Sequence, residues 1–120
     1  MDILHIVGTD ETPEILMDQG KGVFRISGRS LPEDCVEFYR PLLEWIEHYG
    51  NKPNATTVFE FKLDYVNTAS SKLVQDVMQA LEIIPGAKIL WRFQDGDEDM
   101  EAMGQEYSEL IGVPFEFKKY

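Results

Sequence analysis

The stretch TVFEFKLDYVNTASSKLV, residues 57 to 74, decides how the rest of the chain is read. From Thr57 to Val66, Phe59, Phe61, Leu63 and Tyr65 point one way and Glu60, Lys62 and Asp64 the other, the period of two expected of a strand with one buried face. From Ser70 the apolar positions change to helical spacing, through Leu73, Val74, Val77, Met78, Leu81 and Ile84, until Pro85-Gly86 ends the run. A strand passing into a helix across a short polar junction is a unit of an α/β sheet.

Working outward, the flanking segments supply the partners such a unit needs. On the N-terminal side, Pro13 to Met17 and Val23 to Ser27 read as a hairpin across the Asp18 to Gly22 connection, and Ile3 to Val7 as an additional strand. Ser30-Leu31-Pro32-Glu33 predicts a helix start with Ser30 as cap, running to Tyr49 and stopping at Gly50, with Cys35, Phe38, Leu42, Trp45, Ile46 and Tyr49 as its apolar stripe. Pro41 predicts a kink or break near Phe38 to Arg40. On the C-terminal side, Lys88 to Phe93 is a short strand and Asp95 to Asp99 an acidic loop. A third helix then carries Met100, Met103, Tyr107, Leu110 and Ile111, Gly112 closes it, and Pro114 to Lys118 adds an edge strand. The expectation is one α/β domain over residues 1–120, a mixed sheet flanked by about three helices on one or both faces.

Composition narrows the function classes. A chain of 120 residues, 43% apolar, is long enough to bury one core without metals or disulfides. Its net charge of −11, with 11 basic against 22 acidic residues, argues against nucleic acid, which binds through clustered Lys and Arg. No apolar run approaches the ~20 residues of a membrane span, and MDILHIVGTDE lacks the basic-then-apolar layout of a signal peptide, so the chain is expected in the cytoplasm and off the membrane. A lone Cys35 forms no internal disulfide or cysteine metal cluster and suits a reducing compartment. His5 and His48 are far apart and no glycine-rich phosphate loop is present, so catalysis by the chain itself, and any cofactor, is not expected.

The junction itself is over-supplied. One of Asn67, Thr68 or Ser70 is enough to cap the helix, yet Asn67, Thr68, Ser70 and Ser71 crowd together at the C-terminal end of a strand, the sheet edge where ligand and modification sites gather. A phosphate there adds about 1.5 to 2 negative charges at a helix N-terminus, which tolerates them, while a docked partner need not. Two readings stand side by side: a cap, and a switch.

At this point the segments ISGRSLPED (26–34), EFYRPLLEWIEHY (37–49), FKLDYVNTASSKLV (61–74), DEDMEAMGQEYSELI (97–111) and PFEF (114–117) matter jointly. In that order and at these distances the sequence, from Thr12 to Phe117, resembles the SiaC family of bacterial regulatory phosphoproteins. The resemblance implies a STAS-like fold and a partner-switching protein. In such a family a dedicated protein kinase phosphorylates a threonine of the NT-x-SSK motif, a PP2C-type phosphatase removes the phosphate, and the unphosphorylated form activates a diguanylate cyclase. By motif position the acceptor is Thr68. Two departures are Ala69, where a serine is common, and Gln105, where a glutamate is usual. Arg29, Asn67, Ser70, Ser71, Lys72, Asp97 and Asp99 are the candidate partner contacts.

Three further constellations stand beside it. Asp95, Asp97, Asp99 and Glu106 match a calcium loop in spacing, but Met100 stands where that loop needs glycine, and the acids serve equally as helix-terminal charges. Beside Thr68 the same acidic loop would be placed to coordinate magnesium in a kinase complex. The remaining alternative is a small-anion or nucleotide site in a cleft near Arg29, Thr68 and Lys72, the Ser27 to Ser30 segment otherwise being a turn with a cap.

Overall fold

A computed structural model describes all of residues 1–120. Six strands form one sheet in the order of the chain: β1 (Leu4–Ile6), β2 (Glu14–Asp18), β3 (Val23–Ser30), β4 (Thr57–Val66), β5 (Ala87–Phe93) and β6 (Phe115–Lys119). The first three pair antiparallel, and β3 to β6 pair parallel. Each parallel connection carries a helix: α1 (Cys35–Tyr49), α2 (Thr68–Ala80, extended by a 3-10 turn at Leu81–Ile83) and α3 (Glu98–Leu110). Crossovers of one hand that always step the same way along a sheet put every helix on the same face.

Burial follows that topology. Ile15 faces Ile26, Met17 faces Phe24, Phe24 faces Phe59, Ile26 faces Phe61, Phe59 faces Ile89 and Phe61 faces Trp91, a single apolar face across four strands. Against it pack Tyr39, Leu42, Trp45, Ile46 and Tyr49 of α1, Val74, Val77 and Met78 of α2, and Met100 and Tyr107 of α3. Gly104 is buried because α3 crosses the Trp91 indole there, and a Cβ would collide with the ring. The opposite face of the sheet has no helix on it.

Several local expectations change. The Ser27 to Ser30 turn does not form; β3 runs on through it, with Gly28 at φ 112°, a value that favours glycine, opposite a bulge in β4. The bulge sets Leu63 against Gly28 and Tyr65 against Arg29, leaving Asp64 extra. The alternation therefore resets: Val66 is buried and Tyr65, expected in the core, is exposed. Ser30 is not the cap of α1; it ends β3 fully buried, and Asp34 caps the helix by accepting from Glu37 N at 3.1 Å. Helix α1 is also continuous through Pro41, so no break occurs: the proline lies on the exposed side, beside the equally exposed Glu37 whose carbonyl it leaves free.

Candidate functional site

The junction is built from β4 downward. Asn67 leaves the strand with φ −75° and ψ 170°, its backbone N–H donates to Ser30 O at 3.0 Å, and its side-chain oxygen accepts from Ser70 N at 2.8 Å. Asn67 is therefore the cap, and its oxygen is occupied. Thr68 and Ala69, the first two helical residues, are exposed.

The two serines that follow turn inward. Ser70 is fully buried, so it offers no surface to a partner; the spacing could not show that this turn of α2 faces the end of β3. A one-way chain of hydrogen bonds holds it. Ser30 Oγ donates to Ser70 Oγ at 2.8 Å, which leaves Tyr39 to donate to Ser30 at 2.6 Å and Ser70 to donate to Cys35 Sγ at 3.5 Å. Burial pushes the Tyr39 hydroxyl up to about 12, the bond to Ser30 opposing only part of the rise. Ser71 is tied to α3: Tyr107 donates to the Ser71 carbonyl at 2.8 Å and faces Ser71 Oγ at 2.9 Å, and burial likewise raises the Tyr107 pKa. The sequence reading makes Ser30 a cap and Tyr107 part of an apolar stripe, and Tyr39 falls outside the stripe expected of α1 although it is fully buried. No periodicity distinguishes an apolar stripe tyrosine from one whose hydroxyl organises a neighbouring loop.

The remaining candidates separate into two groups. Lys72 is exposed on α2 and pairs with Asp76 at 2.8 Å, one turn below Thr68 on the same side of the helix. It lines a groove of about 450 Å³ between α1 and α2, floored by Val36, Leu43 and Leu73. Asp97 caps α3 by accepting from Met100 N at 3.0 Å, and Asp97 and Asp99 share a cavity of about 250 Å³ with Asp64, Tyr65 and Val66 at the end of β4. The fold thus brings the acidic loop to the sheet edge that carries Thr68. No three carboxylate, His or Cys groups are arranged to hold a metal ion. Arg29 stands apart: the alternation of β3 turns it to the helix-free face, where it lies 5.2 Å over the Tyr65 ring and donates to Asp10 O at 3.2 Å. No cavity is lined by Arg29 or Thr68, so the shared anion cleft expected around Arg29, Thr68 and Lys72 is not formed.

A model of the SiaC family, described as regulatory phosphoproteins, matches residues 6–120. The chain belongs to the SiaC family. An uncharacterized protein of Pseudomonas aeruginosa (strain UCBPP-PA14) is 29% identical over 119 residues, covering 96% of this chain and 94% of its own. SiaC of Pseudomonas aeruginosa superposes with a TM-score of 0.89 at 26% identity over 100% of both chains. A second structure, of the diguanylate cyclase SiaD in complex with its activator SiaC from the same organism, matches at 0.89 and 27% identity, over 98% of this chain and 99% of that one. Within the family frame, Gln105 lies exposed on α3 and Ala69 exposed beside Thr68, neither touching the core. No helix is long and apolar enough to cross a membrane.

Proposed function

We propose that this SiaC-family chain is a non-catalytic partner switch whose Thr68 carries a reversible phosphate. A cognate protein kinase adds it, a PP2C-type phosphatase removes it, and the unphosphorylated form binds and activates an effector, in the manner of the SiaC that activates the diguanylate cyclase SiaD. The observation that supports this reading is the sorting of the junction: Asn67 caps, Ser70 is sealed in the core, Ser71 is tied to Tyr107, and Thr68 alone presents an exposed hydroxyl.

Physical chemistry explains why that position tolerates modification. The first N–H groups of α2 that Asn67 does not satisfy lie beside Thr68, and a helix N-terminus stabilises added negative charge. The domain therefore stays folded when a dianion appears. A partner seated on the α1/α2 groove meets new charge and bulk at its rim, one helical turn from Lys72.

Intact mass of the chain from its native host, before and after phosphatase treatment, should differ by one phosphate that Thr68→Ala abolishes. Purified Thr68→Asp should lose effector binding by about tenfold or more while Thr68→Ala retains it. Equal binding by both folded variants would refute the switch.

A further inference from the structure

We propose that the helix-free face of the sheet holds a second site, for a polyvalent oxyanion of the diphosphate class, formed by Lys62, Arg92 and Lys118 together with Arg25. The register of the strands makes the case first. Lys62 of β4 is the cross-strand partner of Arg92 of β5, and Arg92 is the partner of Lys118 of β6. Three cations therefore stand in a row across three adjacent strands, roughly 5 Å apart at each step. Like charges directly opposite one another repel. In a chain with twice as many acidic as basic residues, 22 against 11, a carboxylate opposite each cation would be the ordinary arrangement.

The surroundings say what such a row is suited to hold. Between β2 and β5 lies a cavity of about 370 Å³ lined by Glu14, Arg25, Ser27, Glu60, Lys62 and Arg92, with no apolar wall. Two carboxylates orient two guanidiniums: Arg25 Nε donates to Glu14 at 3.2 Å and Arg92 Nη1 to Glu60 at 3.1 Å. Burial raises the Glu14 carboxyl, but the hydrogen bonds from Arg25 and His5 outweigh it and hold its pKa below the usual value, so this acid remains an anion. Lys62 has no carboxylate; its Nζ sits 4.5 Å from the Tyr120 ring, with Arg92 5.4 Å from the same ring. A ring face attracts cations but leaves their donor capacity incompletely used. Arg92 Nε is the one buried side-chain polar atom in the molecule without a hydrogen-bond partner. Buried donors are almost always satisfied, and an orphan of this kind calls for a water or ligand acceptor.

Charge fixes the ligand class. Three cations, Arg25, Lys62 and Arg92, line the cavity with two carboxylates, Glu14 and Glu60, and Lys118 stands beside Arg92 on β6, so positive charge is in excess even with Asp64 held by the Tyr120 hydroxyl at the edge of the row. Guanidinium forks and an ammonium bind oxygens of phosphate or carboxylate, and an oxyanion with several acceptor oxygens can serve the unpaired donors of Lys62 and Arg92 together. The site is on the other side of the sheet from the helices and Lys72. It shares no residue with the Thr68 junction, so either reading can fail without the other.

The test is a titration of the full chain with pyrophosphate at constant ionic strength, followed by amide chemical shifts and by thermal melting, with sodium chloride as the control. Saturable shifts at Lys62, Arg92 and Lys118, with a rise in Tm, are expected. Lys62→Gln and Lys118→Gln together should weaken binding by about tenfold or more, as expected for loss of charge-assisted hydrogen bonds. Both side chains reach solvent, and the ligand-free Lys62→Gln chain should melt close to wild type, the repulsion removed offsetting the lost contact with the Tyr120 ring. A parallel titration with ADP asks whether a nucleotide or the free oxyanion is the tighter source; saturation by either at the row supports the site. Shifts no larger than those of the chloride control, shifts confined to Asn67 to Lys72, or unchanged affinity in the double variant would overturn it.

Discussion

The two faces of the sheet are written by alternate residues of the same strands, and they obey opposite rules. Trp91 and Arg92 are chain neighbours. Trp91 is buried against Phe61, Tyr107 and Gly104 and donates its indole N–H to Met100 O at 3.0 Å. Arg92, turned the other way, stands between Lys62 and Lys118 with Nε unpaired. On the covered face each side chain has the neighbours that packing demands, and that face determines the fold. On the open face ion pairs such as Arg25–Glu14 and Arg92–Glu60 link the strands, yet Lys62 has no carboxylate and Arg92 Nε no acceptor, and such local mismatches are the expected mark of residues kept for recognition. The difference shows that stability and binding can be separated on one ribbon with a repeat of two.

The largest effect should come from the covered face. Trp91→Ala removes the indole that β4 and α3 pack against and should cost about 3 to 5 kcal/mol in urea unfolding, the range for deleting a large buried aromatic. If it cost less than the loss from a surface substitution, about 0.5 kcal/mol, the contrast between the faces would be wrong.

A second measurement sharpens the contrast with two tyrosines. Tyr39 is enclosed beneath α1, and its pKa is about 12 in the fold, against about 10 when unfolded. A group whose folded pKa is raised contributes stability that is complete below pH 10 and disappears as pH climbs through 10 to 12, because the unfolded chain ionises first. By linkage the loss approaches about 2 to 3 kcal/mol. Tyr107 acts in the same direction. Tyr39→Phe should start lower at neutral pH, having lost the bond to Ser30, and then fall less steeply between pH 10 and 12. Tyr120 on the open face is also raised, by burial first and then by Asp64, but it is far less enclosed than Tyr39 and should change that slope much less when replaced by Phe.

Much of this architecture is legible in the sequence because burial imposes periodicity. The alternation of Phe59, Phe61 and Leu63 located β4, and the spacing of Val74, Val77 and Met78 located α2 with its face correct. The alternation misleads beyond Leu63 because the bulge at Asp64 depends on the partner strand, which a local pattern does not contain. The start of α1 departs from the sequence pattern for a related reason: Ser30-Leu31-Pro32-Glu33 has the chemistry of a cap, but tertiary hydrogen bonds to Tyr39 and Ser70 hold Ser30 in the strand. At the site, motif position singled out Thr68, while the inward turn of Ser70 and the contact of Ser71 with Tyr107 come from residues 36 to 40 positions away in the chain. The cation row is not legible in the sequence because Lys62, Arg92 and Lys118 are ordinary outward-facing residues until the register places them side by side.

The smallest predicted effect separates the two kinds of surface within one turn of α2. Ser70→Ala deletes the acceptor of Ser30 and the donor to Cys35, leaving a buried hydroxyl without its partner, and should cost about 1 to 2 kcal/mol. Thr68→Ala removes an exposed side chain from the first position of the helix and installs the residue with the highest helix propensity, so its stability should stay within about 0.5 kcal/mol of wild type. Paired urea titrations of the two variants therefore ask whether side chains two residues apart serve different ends. A shared loss of about 1 kcal/mol or more would mean that Thr68 is part of the framework that holds α2 to β3, and a phosphate there would act by loosening the fold. Loss confined to Ser70→Ala would leave Thr68 free to change its charge without changing the structure, which is what reversible control of a docking surface requires.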